Sequence, residues 1–250
     1  MFSDNKKNED RRHYPKKSED IFRRLFILYL YRKTHDSLSI RKALTTYMKE
    51  LKIKQLETFP TDFSREKLVQ INEYRWSDKY TPTSRAGLFM IKSFGFVLYM
   101  ESHEQNPKTE YYNYNDPVYT DSCLEFFAKW SENSDKYINM EINPAGTLLS
   151  CIGAGRENRE PIVNYTDGKI FEISAEKSDS IWSVTAKIPF EMLDRIYGEK
   201  IDFSSGRALF GNFYKCGDNT KIPHYGSWNP VMTEKPDFHR PEYFGKLIIE

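Results

Sequence analysis

Apolar residues recur at helical spacing in the first fifty positions and alternate with polar ones after that. Ile21, Leu25, Phe26, Leu28 and Tyr29 share a helical stripe, and Leu38, Ile40, Ala43 and Leu44 continue it after a break at His35-Asp36-Ser37. Ser18 and Asp20 are suited to cap its start. The spacing predicts one or two amphipathic helices over 21–47. The segment before it, MFSDNKKNEDRRHYPKKSED, is charged and poor in apolar side chains, which predicts a disordered tail over 1–20. From Met48 the period becomes two. Alternating runs at 51–57, 87–104, 123–130, 137–143, 146–153, 170–176, 181–190, 208–216 and 245–250 predict strands separated by Gly, Pro, Asn and Asp. One exception follows Pro189, where Phe190, Leu193 and Ile196 fall on one face and predict a helical turn. Many short strands at near-regular spacing imply an all-β fold over 48–250, an antiparallel β-sandwich of jelly-roll type with an N-terminal α-helical extension.

Composition sharpens this picture. The chain has 250 residues, 39% hydrophobic and 29% charged, and Lys+Arg 37 against Asp+Glu 36 leaves a net charge of +1. That balance argues against a nucleic-acid partner, which calls for a basic excess. Three cysteines, Cys123, Cys151 and Cys216, are widely spaced and odd in number, so reduced thiols are expected. The apolar run LFILYLY at 25–31 is too short to span a bilayer, and no small-residue cleavage site follows it. The expected location is therefore cytoplasmic. The 17 Tyr and 17 Phe are the unusual feature; they suit strands, and they also suit surfaces that bind rings.

Most catalytic patterns are missing. There is no HExxH, CxxC, GxSxG or P-loop, and GAGRENRE at 153–160 lacks the Lys-Ser/Thr of a phosphate loop. Glu125 and Glu141 lie mid-strand in neighbouring β segments, so a glycosidase pair is one reading. The favoured reading places both on the solvated outer face of an antiparallel sheet. Two long loops, 105–119 and 217–244, carry the binding chemistry. The first offers Tyr111, Tyr112, Tyr114 and Tyr119; the second offers Trp228 and Asn229 in HYGSWNP, then His239 and Arg240 in PDFHRPEYFG. Aromatic faces stack on sugar rings, while amides, guanidiniums and imidazoles bond hydroxyls.

Several separated motifs resemble carbohydrate-binding module family 9, including its stand-alone members. They are Asp116-Pro117-Val118-Tyr119 leading into 121–127, Tyr137 to Asn143 with Gly146, Gly155-Arg156, Trp182 with Ile188-Pro189, 211–216, Trp228-Asn229-Pro230 and 236–245. The resemblance spans about Met48 to the end. It implies a sugar-binding antiparallel β-sandwich linked to polysaccharide use. In xylanase-attached members two aromatic residues sandwich a terminal sugar and calcium ions have a structural part. Trp228 and Asn229 match the later aromatic and its amide. The earlier aromatic is not a Trp here, and Arg156 is the residue offered for the family's binding arginine.

The expectation is thus a non-catalytic module that binds a mono- or oligosaccharide through Trp228, Asn229, His239, Arg240, Arg156, Tyr112, Tyr114 and Tyr119. No cofactor is expected, with structural calcium as an option. The rival readings are a glycoside hydrolase using Glu125 and Glu141, and a protein-interaction module.

Overall fold

The structure, a computed structural model, describes residues 48–250. The tail expected at 1–20 and the helices expected at 21–47 lie outside the described residues. The described part is mostly β: thirteen strands and one α-helix, α1 (Phe190–Tyr197). The strands are β1 (Glu50–Leu56), β2 (Val69–Ile71), β3 (Ser84–Ile91), β4 (Gly95–His103), β5 (Cys123–Lys129), β6 (Tyr137–Ile142) and β7 (Leu148–Gly153). They continue with β8 (Glu160–Pro161), β9 (Glu172–Lys177), β10 (Ile181–Pro189), β11 (Ala208–Gly217), β12 (His224–Ser227) and β13 (Gly245–Ile249). Hydrogen bonding runs continuously in the order β8-β7-β6-β5-β11-β13-β1-β3-β4-β10-β9, with β12 added to β11 and β2 to β3.

This is one curled mixed sheet, which corrects the expectation of a purely antiparallel sandwich. The departure sits in β1. Its first half, from Glu50 to Ile53, pairs parallel with β13, and its second half, from Lys54 to Leu56, pairs parallel with β3. Every other ladder is antiparallel. A hydrophobic pattern of period two is the same in both arrangements, so it does not report strand direction. Parallel neighbours need a long crossover, and residues 57–83 supply it between β1 and β3.

Both halves of the sheet bury one face in a shared apolar core. From one half come Leu124, Phe126, Ala128, Ile138, Met140, Ile142 and Phe213; from the other, Leu88, Leu98, Met100, Trp182, Val184 and Ile188. The helix adds Leu193 and Ile196, as its spacing predicted. The run at 87–104 is not one strand. It turns at Lys92–Phe94, closed by Phe94 N–H donating to Ile91 O at 2.9 Å. Gly95 then takes φ +150°, and a Cβ there would lie 2.1 Å from the Ile188 carbonyl oxygen. Only glycine fits both demands.

At one end of the core a buried ionic cluster ties the halves together. Lys215 on β11 is fully buried, with Nζ 3.3 Å from Glu104 Oε2 and 2.8 Å from His224 Nε2. An ammonium only donates, so His224 Nε2 accepts and its Nδ1–H faces the Ile222 carbonyl at 2.9 Å. Burial, reinforced by Lys215, pushes the His224 pKa down to about 4.

Candidate functional site

The strands β5, β6 and β11 alternate, so each has a second face. Inward go Leu124, Phe126, Ile138 and Met140; outward go Cys123, Glu125, Phe127, Tyr137, Glu141, Tyr214 and Cys216. The outer face is not solvated. The chain from 231 to 244 folds across it, and Val231, Phe238 and Phe244 pack on Phe127, Tyr137 and Tyr214 in a second apolar cluster. Beside this cluster the loop leaves a cavity of about 780 Å³ between itself and the strands.

Glu125 and Glu141 form its floor. They are direct cross-strand partners on β5 and β6, each 3% exposed, and both line the cavity. The expectation of solvated surface carboxylates is therefore corrected: the alternation gave the correct face, but the covering loop makes that face an interior. Burial, with the neighbouring Glu141 charge, raises the Glu125 pKa well above the ordinary carboxylate range. Burial pushes Glu141 up to about 7, against the opposing pull of Arg159, whose Nη1 is 3.9 Å away, and of Asn139, which donates at 3.1 Å. Two neighbouring buried carboxyls cannot both ionise cheaply. Asp218 on the rim is also raised by burial.

The loop 235–245 supplies the facing wall. Its Asp237 accepts from Arg156 Nη2 at 2.9 Å, Arg240 Nε at 2.6 Å and its neighbour His239 N–H at 3.2 Å. Burial favours the protonated acid, but the two guanidiniums prevail and hold Asp237 below its ordinary range. Phe238 stacks on Tyr214 with centroids 4.2 Å apart, and His239 stacks on Phe127 at 4.8 Å. His239 Nδ1 lies 2.8 Å from Tyr137 Oη and 3.3 Å from Arg159 Nη1. Arginine only donates, so Nδ1 is an acceptor and the neutral ring carries its proton on Nε2. Burial, with Arg159 and Arg156 nearby, pushes the His239 pKa down to about 3. The crowding of acid, aromatic, histidine and arginine before the last strand thus has a structural account: internal pairing fixes the loop while its side chains border the cavity.

The sequence-derived residues divide into two groups. Arg156, His239, Arg240 and Tyr119 converge on this cavity. Trp228, Asn229, Tyr112 and Tyr114 do not line it. Trp228 is 3% exposed and belongs to the main core, set edge-on to Phe213 at 5.6 Å. It packs so closely on Gly245 that a Cβ there would meet its ring at 2.4 Å. That contact explains both the glycine of the PDFHRPEYFG motif and why the indole has no surface to offer a ligand. Asn229 is buried and structural: its Oδ1 accepts from Lys49 N–H at 2.8 Å and its Nδ2 donates to Tyr243 O at 2.8 Å. Tyr114 is half-buried, bonded to Ser150 O at 3.0 Å, and Tyr112 is 69% exposed; both border a separate 370 Å³ hollow near Ile173. The sequence reading missed Arg159 and Tyr225. Arg159 stands three residues beyond Arg156 in a glycine-rich loop, a spacing that carries no signal until the loop folds over β6.

Comparison with known proteins decides the family. The model of the carbohydrate-binding family 9 matches residues 58–249. The chain belongs to carbohydrate-binding family 9. Its fold is similar to that of a candidate carbohydrate-binding protein from Bacteroides uniformis, with TM-score 0.67 and 24% identity over 81% of this chain and 100% of that one. It is also similar to a family 9 module from Caldicellulosiruptor kristjanssonii. That module's complex with glucose gives TM-score 0.57 at 10% identity over 81% of this chain and 96% of that one. Its complex with cellotriose gives 0.56 at 10% identity over 81% and 94%. No curated protein matches the chain. No helix among the described residues is long and apolar enough to cross a membrane.

The family resemblance leaves structural calcium as an option. Calcium takes six to eight oxygen ligands. Among the described residues no three carboxylates converge, and the one trio of His, Cys, Asp or Glu ligand atoms is Cys123, Glu125 and Cys216.

Proposed function

We propose that this family 9 chain binds a mono- or oligosaccharide without cleaving it, and that the sugar occupies the 780 Å³ cavity over Glu125 and Glu141. One observation carries the placement: buried carboxyls, three guanidiniums and aromatic side chains border a single hollow. Sugar hydroxyls both donate and accept, so they suit a wall that offers Glu125, Glu141 and Asp218 opposite Arg156, Arg159 and Arg240. Tyr119, 40% exposed, and the half-buried Tyr225 are the rings placed to cover a sugar's apolar face. Membership of family 9, and the glucose and cellotriose bound by the Caldicellulosiruptor module, support the ligand class. Such binding suits a role in polysaccharide use. A glycan array with the full chain, followed by calorimetric titration of each hit, tests the reading. Saturable binding lost in Arg159→Ala supports it, and binding unaffected by that change removes the sugar from this cavity.

A hydrolytic reading has one specific observation in its favour. Glu125 and Glu141 share one cavity, and burial raises both pKa values, as the protonated carboxyl of a general acid needs. Prolonged incubation of hit oligosaccharides and aryl glycosides with the chain separates the two. Turnover lost in both Glu125→Gln and Glu141→Gln makes it an enzyme; intact ligand recovered after binding keeps it a module.

A further inference from the structure

We infer that Cys123, Glu125 and Cys216 form a binding site for a thiophilic divalent cation, zinc foremost, in the floor of the cavity. Cys123 on β5 and Cys216 on β11 are direct cross-strand partners, and Glu125 lies two residues along β5 from Cys123, on the same face. The two Sγ atoms and a Glu125 oxygen all lie within 4.8 Å of one another, and Cys216 Sγ is 2.8 Å from Glu125 Oε1. An ion bound at about 2.3 Å to sulfur and about 2.1 Å to oxygen bridges ligand atoms spaced this way with small side-chain rotations. All three residues are buried, on adjacent ladder positions of a sheet, so the constellation is held by backbone pairing instead of by loops.

The chemistry of the set selects the metal. Two sulfurs and one carboxylate oxygen suit zinc and exclude calcium and magnesium. Three protein ligands leave one tetrahedral position. Cys216 and Glu125 line the cavity while Cys123 lies fully beneath it, so that position faces the hollow. Two thiolates, one carboxylate and a dication sum to a single negative charge. Cys151, the remaining free thiol, is not in the trio.

The test uses the full chain, reduced and stripped by a chelator, with cobalt(II) as the probe and no sugar present, so its failure is independent of the carbohydrate reading. One equivalent of cobalt is expected to give a near-ultraviolet thiolate-to-metal band that zinc abolishes. Cys151→Ser keeps the band. Cys216→Ser loses it, and Glu125→Gln weakens affinity by at least the roughly 10–100-fold that loss of an outer-shell partner costs. Zinc also raises the Tm of the unaltered chain and of Cys151→Ser, a readout that survives if the site variants misfold. No band in the reduced unaltered chain, a band retained in Cys216→Ser, or a thiol count that shows Cys123 and Cys216 cross-linked each overturns the site.

Discussion

The two faces of β5 and β6 are built from neighbouring residues of the same strands, and both are buried, yet they are different materials. Inward, Leu124, Phe126, Met140 and Ile142 interlock in a dry core that asks nothing of solvent. Outward, one residue over, Glu125 and Glu141 lie side by side under a loop and keep protons that exposed carboxyls would lose. The inner face owes its stability to burial of apolar area, which is insensitive to pH. The outer face carries groups whose burial costs stability, and such costs persist at sites that bind ligands. The inner face is a scaffold that holds the sheet; the outer face is a polar surface partly roofed by residues 233–240.

The comparison can be broken first at its scaffold. Trp228→Ala removes an indole from the core and opens a cavity; a loss of about 3–5 kcal/mol is expected in denaturant melts. A loss under about 1 kcal/mol would mean the ring is not a core element. The second test reads the polar face. The folded-state pKa of Glu141 is about 7, above its unfolded value. The native state therefore holds this proton more tightly, and the associated stability is complete below the unfolded pKa and lost as pH rises through 7. Glu141→Gln never ionises, so relative to the unaltered, metal-free chain it should gain on the order of 2 kcal/mol by pH 8 and little at pH 4. A Tm difference that does not change with pH would show that the carboxyl is not buried in solution.

Smaller effects sharpen the boundary. Arg156 is largely exposed and its bond to Asp237 is a surface pair, so Arg156→Ala should shift stability by no more than about 1 kcal/mol. The same change should weaken sugar binding by roughly tenfold, or about 1.4 kcal/mol. Calorimetry on the variant checks both halves. Tyr112→Ala should do almost nothing to either, because its ring is exposed and borders a different hollow. A large loss of sugar affinity there would move the site to the 105–119 loop.

How much of this was legible in the sequence depends on how far each residue's role is set by its neighbours in the chain. Strand alternation is local, so the alternating runs and the helix after Pro189 were readable, whereas the turn that splits 87–104 into β3 and β4 was not. Direction in β1 was not, because its partners β13 and β3 lie far along the chain. The short strands β2, β8 and β12 were too brief to alternate. His239, Arg240 and Tyr119 were legible because Gly and Pro mark the loops that carry them, and Arg156 through the family resemblance; all four border the cavity. Trp228 was misplaced because its own Gly and Pro neighbours suggested exposure, whereas its burial comes from Gly245 and Phe213, which only the closed sheet brings to it. Glu125 and Glu141 read as solvated because nothing in β5 or β6 records that residues 233–240 cross above them.

The central claim is that the covered polar face is the sugar site. A crystal structure of the full chain soaked with the tightest-binding sugar from the array tests it most directly. The account predicts a sugar ring in the 780 Å³ cavity, with hydroxyls within hydrogen-bonding distance of Glu141 or Glu125 and of Arg159. A ring found instead against Tyr112 and Tyr114, with this cavity holding only water, would contradict it.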